Sequence, residues 1–287
     1  MRQPPAQTNN RNPAPAGAAP DWTIPQRWPD YTAAEHEIWN RLFTRQIEQL
    51  QDRVVPAFHL GIEALGLAPD GIPRFEMLNE RLQRLTGWTV LPVPGIVPEE
   101  IFFQHLARRQ FVAGRFIRNA EQLDYLEEPD VFHDVFGHVP LLADAAYANY
   151  MQAYGEAGVC AQPGPVLEQL ARLYWYTVEF GLMRDGKRLR IFGAGIVSSN
   201  GESAYALDSA EPLRIGFEVR RTMRTEYLID SFQKNYFVID SFADLVKLTA
   251  AADFTDIYRE LATARTIPPG VKMPNDVLFP PNRSSGI

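Results

Sequence analysis

Trp39, Leu42, Phe43, Ile47 and Leu50 recur at three- and four-residue steps, which predicts an amphipathic helix. Thr32 precedes it with Glu35 three residues on, the pattern of a capping box. A second helix is expected from about Val54 to Leu65, stopping near Gly66, and a third from Arg74 to Leu85, ended by Gly87. Trp88 to Val93 is rich in strand formers and runs into the turn pair Pro94-Gly95. Pro98, Glu99 and Glu100 fit the first turn of a fourth helix that carries Ile101, Phe102, Phe103 and Leu106. A short strand follows near Gln110 to Val112.

Further on, helices are expected over about Ala145–Gly155 and Pro165–Phe180, the latter ended by Gly181 and Asp185-Gly186. Arg188 to Phe192 alternates like a strand, Gly193-Ala194-Gly195 reads as a tight loop, and Ser198 to Leu207 as a short helix. Tyr236 to Asp240 reads as a strand and Phe242 to Leu261 as one helix. The pattern is mainly α with a few short β-strands, an α+β chain with no sharp internal linker. Residues 1–20 lack apolar periodicity and are expected to be a disordered tail. Residues 21–287 are expected to form one domain, with an irregular, proline-rich segment from about Thr266.

Composition narrows the class. A net charge of −7 argues against nucleic acid and anionic lipid as partners. No apolar run approaches the roughly 20 residues that span a bilayer, and no secretory leader is visible, so a cytoplasmic protein is expected. Cys160 is the only cysteine, which suits a reducing compartment; between Val159 and Ala161 it reads as a packing residue.

The chemistry concentrates in Asp130–Asp144, DVFHDVFGHVPLLAD, which holds His133 and His138 among acidic neighbours. The other helix histidines, His36 and His59, read as packing or surface groups. On an unbroken α-helix, residues five apart point about 140° away from each other. For both imidazoles to meet one metal, the helix is expected to unwind at Gly137, so that His138 swings back. Glu179 is the candidate third ligand, on a helix stripe with Glu168, Arg172 and Trp175. Two histidines and a carboxylate leave open positions on Fe(II). The same residues also suit two ordinary buried histidines and a surface glutamate, so spacing alone leaves ligation open.

At EEPDVFHDVFGHVPLLAD, LARLYWYTVEFGL and FGAGIVSSNGES the chain closely resembles the pterin-dependent aromatic amino acid hydroxylases, above all the bacterial branch acting on phenylalanine. The resemblance runs from about Trp22 to Ala262. It implies a mainly helical catalytic domain that hydroxylates L-phenylalanine at C4, using O2 and a tetrahydropterin such as tetrahydrobiopterin at a non-haem Fe(II). It implies that His133, His138 and Glu179 bind the iron and that Tyr174 lies close to it. Gly95, Ile96 and Val97 match the loop along the pterin, Phe102 the ring that stacks on it, and Asp134 an acid close to it. Arg118 matches the clamp for the substrate carboxylate, with Asp130 placed to orient it. Pro129, Trp175 and Phe180 match the walls of the aromatic pocket, and Ser198 and Ser199 the hydroxyls around metal and substrate. Leu126 stands where the animal enzymes have Thr, which removes one polar substrate contact. Val238 falls where tyrosine hydroxylases carry Asp, which favours phenylalanine. The chain lacks the animal regulatory domain and the C-terminal heptad helix, so a monomer is expected. Rival functions are hydroxylation of tryptophan at C5 and, in another class, a zinc hydrolase using the same three ligands.

Overall fold

The computed structural model describes residues 14–123, 128–161, 165–250 and 254–282. Leu126 lies outside the described residues, as do residues 1–13 of the expected tail.

The N-terminal helices form as their patterns predict. Helix α1 (Ala33–Leu50) opens on Thr32, whose side chain accepts from Glu35 N while Glu35 returns to the Thr32 backbone. Helix α2 (Pro56–Leu65) ends at Gly66 in the left-handed conformation, and α3 (Phe75–Leu85) follows. Strand β1 (Thr89–Val93) pairs in parallel with β2 (Gln110–Gly114) across helix α4 (Glu99–Ala107). Pro98 is the N-cap of α4 rather than part of its first turn.

The central stretch departs from expectation. No unwinding occurs at Gly137. Phe132–His138 is a π-helix that runs through Gly137 and continues as a 3-10 helix over Val139–Ala143. Gly137 is needed for close approach: a Cβ there would meet the Ala194 carbonyl oxygen at 3.1 Å. Helix α5 (Ala145–Cys160) extends past Gly155, whose missing side chain makes room for α4: a Cβ would meet Ala107 N at 2.4 Å. Helix α6 (Pro165–Tyr174) passes into a second π-helix, Trp175–Glu179.

Gly181 does not merely end a helix. It starts strand β3 (Gly181–Asp185), which pairs antiparallel with β4 (Arg188–Ile191) through the turn at Gly186. Gly193 leads directly into helix α7 (Ala194–Val197), so no loop separates them, and α8 (Asn200–Asp208) follows. Strand β5 (Leu213–Gly216) and helix α9 (Val219–Arg224) carry too little periodicity to be read from sequence. Strand β6 (Asn235–Ile239) lies between β3 and β5, parallel to both, giving the order β4-β3-β6-β5. The expected last helix is two, α10 (Phe242–Ala250) and α11 (Phe254–Leu261). The proline-rich segment then folds back, bridging Ile267 to Thr225 and Leu278 to Ile215.

This packing sets the site. Phe132 and Phe136 are fully buried and stack on each other at 4.7 Å between ring centroids. Trp39 and Phe43 of α1 and Phe58 of α2 meet them edge-on. Burial of these rings anchors the first π-helix and turns its histidines away from that aromatic core. Among the described residues, no helix is long and apolar enough to cross a membrane.

Candidate metal centre

A π-helix bonds residues five apart, so it aligns positions that an α-helix would separate. That geometry brings His133 and His138 together: their Nε2 atoms are 3.2 Å apart. Glu179 reaches them from the second π-helix, where Phe180 N donates to Trp175 O five residues back. Glu179 Oε1 lies 3.1 Å from His138 Nε2, and Oε2 lies 3.7 Å from His133 Nε2. His138 is buried, and His133 and Glu179 are mostly so.

Electrostatics match a cation site. Burial, aided by the His138 charge, pulls His133 down to about 4, although Glu179 and Asp130 oppose it. Burial also opposes a charge on His138, but Glu179 outweighs it and holds His138 above its ordinary value. Burial would raise Glu179, yet His138 and His133 hold it below the usual carboxylate range. His133 is therefore held neutral, with a lone pair to give, beside a carboxylate held charged. A divalent transition metal with imidazole and carboxylate ligands fits that donor set.

The remaining ring nitrogens differ. His133 Nδ1 lies 2.8 Å from Ser198 Oγ, and Ser198 donates its own hydrogen to the Ala194 carbonyl at 2.9 Å. Ser198 must then accept from His133, which places the His133 proton on Nδ1 and frees Nε2 as a donor atom. His138 Nδ1 is buried and, among the described residues, has no hydrogen-bond partner.

Asp134 is a second candidate carboxylate, because its oxygen and the two imidazole nitrogens also lie within 4.8 Å of one another. It is the poorer one. Asp134 Oδ2 is already taken by Gly114 N at 2.7 Å. Burial pushes its carboxyl up to about 7 despite that bond, which disfavours the charged form. Glu179, in contrast, directs one oxygen at each imidazole.

The family model "Biopterin-dependent aromatic amino acid hydroxylase" matches residues 12–261. The chain belongs to this family. It is 55% identical over 268 residues to a phenylalanine-4-hydroxylase of Caulobacter vibrioides, covering 93% of this chain and 91% of the relative. It superposes with a TM-score of 0.88, at 48% identity, on Chromobacterium violaceum phenylalanine hydroxylase with bound iron(III) and 7,8-dihydrobiopterin; 93% of this chain and 94% of that one are covered. The iron- and phenylalanine-bound structure of the same enzyme gives a TM-score of 0.87 at 47% identity, covering 91% and 95%.

Most positions the hydroxylase resemblance singled out gather around the three donors. Tyr174 packs against His138, with ring centroids 6.4 Å apart, and Phe102 meets Tyr174 edge-on at 5.6 Å. Arg118 is buried rather than on the surface, and Asp130 grips it from beneath. Gly95, Ile96 and Val97 sit in the loop before α4, where Ile96 N donates to Glu128, the neighbour of the exposed Pro129. Trp175 and Phe180 pack ring to ring at 4.8 Å.

Two further positions have their own structural partners. Ser199 is the N-cap of α8: its hydroxyl oxygen accepts from Glu202 N, which leaves its own O–H to donate. Val238 is buried in β6 between Leu182 and Gly216. It lines a cavity of about 710 Å³ shared with Arg184, Phe217 and Phe279, and no other position singled out for the site lines that cavity. The parallel pairing of β6 with β3 and β5 carries Val238 there. Sequence reasoning missed Phe111, whose ring lies 4.9 Å from His138, and Tyr227, which stacks on Trp175. Phe111 reads only as a strand residue, and nothing local marks Tyr227, whose partner is 52 positions away.

Proposed function

We propose that this chain is a phenylalanine 4-monooxygenase, which converts L-phenylalanine to L-tyrosine with O2 and a tetrahydropterin at a non-haem Fe(II). The observation that carries the reading is the meeting of His133 Nε2, His138 Nε2 and the Glu179 carboxylate, all three mostly buried. These three residues would hold the iron. The chemistry that iron and pterin supply when bound is reduction of O2, with one oxygen atom entering the ring and the other ending as water.

The protein's share is to bind, orient and keep the site dry. Ser198 fixes the tautomer and direction of His133. Asp130 holds Arg118 through Nε and Nη2, which leaves Nη1, only 3.5 Å from Leu123 O, as the arm for the substrate carboxylate. Pro129, Trp175 and Phe180 supply apolar wall for the substrate ring. Phe102, with Tyr174 at its edge, offers a face to the pteridine, and the Gly95–Val97 loop offers backbone groups. Asp134 lies beside the two imidazoles, held by Gly114. Phe111, Val135 and Phe136 are buried and exclude water behind the histidines.

The lone Cys160 favours the reducing cytoplasm. A monomer is favoured because the segment after α11 pairs with β5 and α9 of its own chain. The test of function is to load the protein with Fe(II) without oxygen, add tetrahydrobiopterin and phenylalanine, admit O2 and measure tyrosine. Tyrosine in proportion to pterin oxidised is expected. Iron bound with no tyrosine formed refutes the reading, 5-hydroxytryptophan formed in preference from tryptophan assigns the other substrate, and pterin-independent activity with zinc assigns a hydrolase.

A further inference from the structure

Three rings stand in a row next to Glu179. Trp175 is flanked by Phe180 at 4.8 Å and by Tyr227 at 4.3 Å, the latter nearly parallel at 17°. The Trp175 indole N–H is buried and, among the described residues, has no hydrogen-bond partner. A buried tryptophan is ordinarily oriented by a bond from that group. Here packing must orient it, and the two flanking rings are its aromatic contacts. Phe180 belongs to the same segment of chain as Trp175, so Tyr227 is the clamp supplied from elsewhere.

The loop between α9 and β6 that carries Tyr227 is tied at both ends. At its start, the Tyr176 hydroxyl donates to Glu226 O at 2.6 Å, and Glu226 N donates to Ile267 O. At its end, Gln233 exchanges side-chain bonds with both backbone groups of Leu228 and gives its own N–H to Glu202. Phe232 rests on Tyr205 and on Gly201, where a Cβ would come within 2.7 Å of its ring. So much fixation would be idle for a loop that only connects a helix to a strand; its outer residue Ile229 is 78% exposed, while Tyr227 turns inward.

We infer that Tyr227 is a positioning residue that sets substrate specificity: its ring clamps the Trp175 indole and so fixes the width of the aromatic pocket. This rests on the proposal that Trp175 lines that pocket. With the clamp in place the wall stands where a single ring fills the space. Without it the indole can tilt, a one-ring substrate loses contact, and a two-ring substrate gains room. Among the described residues the Tyr227 hydroxyl makes no hydrogen bond, so the ring face carries the effect.

Tyr227→Leu removes the ring, Tyr227→His keeps a smaller one, and Tyr227→Phe keeps the stack. Phenylalanine binding to the Fe(II) protein is measured by calorimetry without oxygen or pterin, and turnover is measured on phenylalanine and tryptophan. In the Leu variant, Kd and KM for phenylalanine should rise about three- to tenfold, the range of a lost aromatic pair. Its kcat and its pterin KM should stay within about twofold, as for loss of a contact made equally in ground and transition states. The preference for phenylalanine over tryptophan should narrow, and Tyr227→Phe should restore all three values. If circular dichroism shows the Leu variant unfolded, the His variant is read in the same way. A folded variant without the aromatic stack that keeps the original Kd and preference overturns the inference. If the unmodified protein neither binds nor hydroxylates phenylalanine, the proposed function has failed instead.

Discussion

The Ser198 hydroxyl accepts a hydrogen bond from His133 Nδ1 at 2.8 Å because its own hydrogen is committed to the Ala194 carbonyl, 2.9 Å away. One serine thereby decides which imidazole nitrogen carries the proton. Ser198→Ala should leave the fold intact and weaken iron binding about 10- to 100-fold, as loss of such a support does at other metal sites. Competition with a chromogenic chelator measures this, and unchanged affinity would show that packing alone orients His133.

Asp130 is fully buried and receives four hydrogen bonds: Arg118 Nε at 2.8 Å, Arg118 Nη2 and N at 2.9 Å each, and His133 N at 3.0 Å. Asp130→Ala strands a buried guanidinium, which costs about 3–5 kcal/mol when such a pair is broken. Urea unfolding should show that loss, and phenylalanine affinity should fall with it as Arg118 loses its brace. A loss under about 1 kcal/mol would mean that water or a neighbour replaces the aspartate.

The helices of the N-terminal third were legible because each buries one stripe and meets a clear stop, as with Thr32 before α1 and Gly66 after α2. Both π-helices were invisible. Their signal is a register, not a composition, and tertiary burial of Phe132 and Phe136 selects it. Gly137 was misread for the same reason: it looks like a breaker in one dimension and is a point of close approach to Ala194 in three. The three iron-ligand candidates and Arg118 were legible through family motifs rather than through spacing. The surroundings of Val238 were not legible, because a short run such as Tyr236–Ile239 gives no hint of which strands flank it.

Glu202 gives the pH dependence. Its side chain is buried between α8 and the Tyr227 loop, and burial pushes its carboxyl from 4.5 up to about 7 against the hydrogen bonds from Gln233 N and the Tyr236 hydroxyl. The folded state therefore holds this proton more tightly than the unfolded chain does. The stability it contributes is complete below about pH 4.5 and is lost as pH rises through about 7. From about pH 5 to pH 8 the native protein should lose roughly 2–3 kcal/mol more stability than Glu202→Gln does. Parallel urea-stability profiles for the two proteins would rule out a buried proton at this position.

Iron content decides the account of the metal centre, because Glu179 and Asp134 compete for one role. Glu179 faces both imidazoles, whereas Asp134 is bonded to Gly114. The measurement is the iron retained per chain after Fe(II) loading and desalting, for Glu179→Gln and Asp134→Asn side by side. Glu179→Gln should come through nearly free of iron, and Asp134→Asn should keep about one iron per chain, since a three-residue site fails when its carboxylate is removed. Full iron in Glu179→Gln with loss in Asp134→Asn would contradict the assignment and make Asp134 the third ligand.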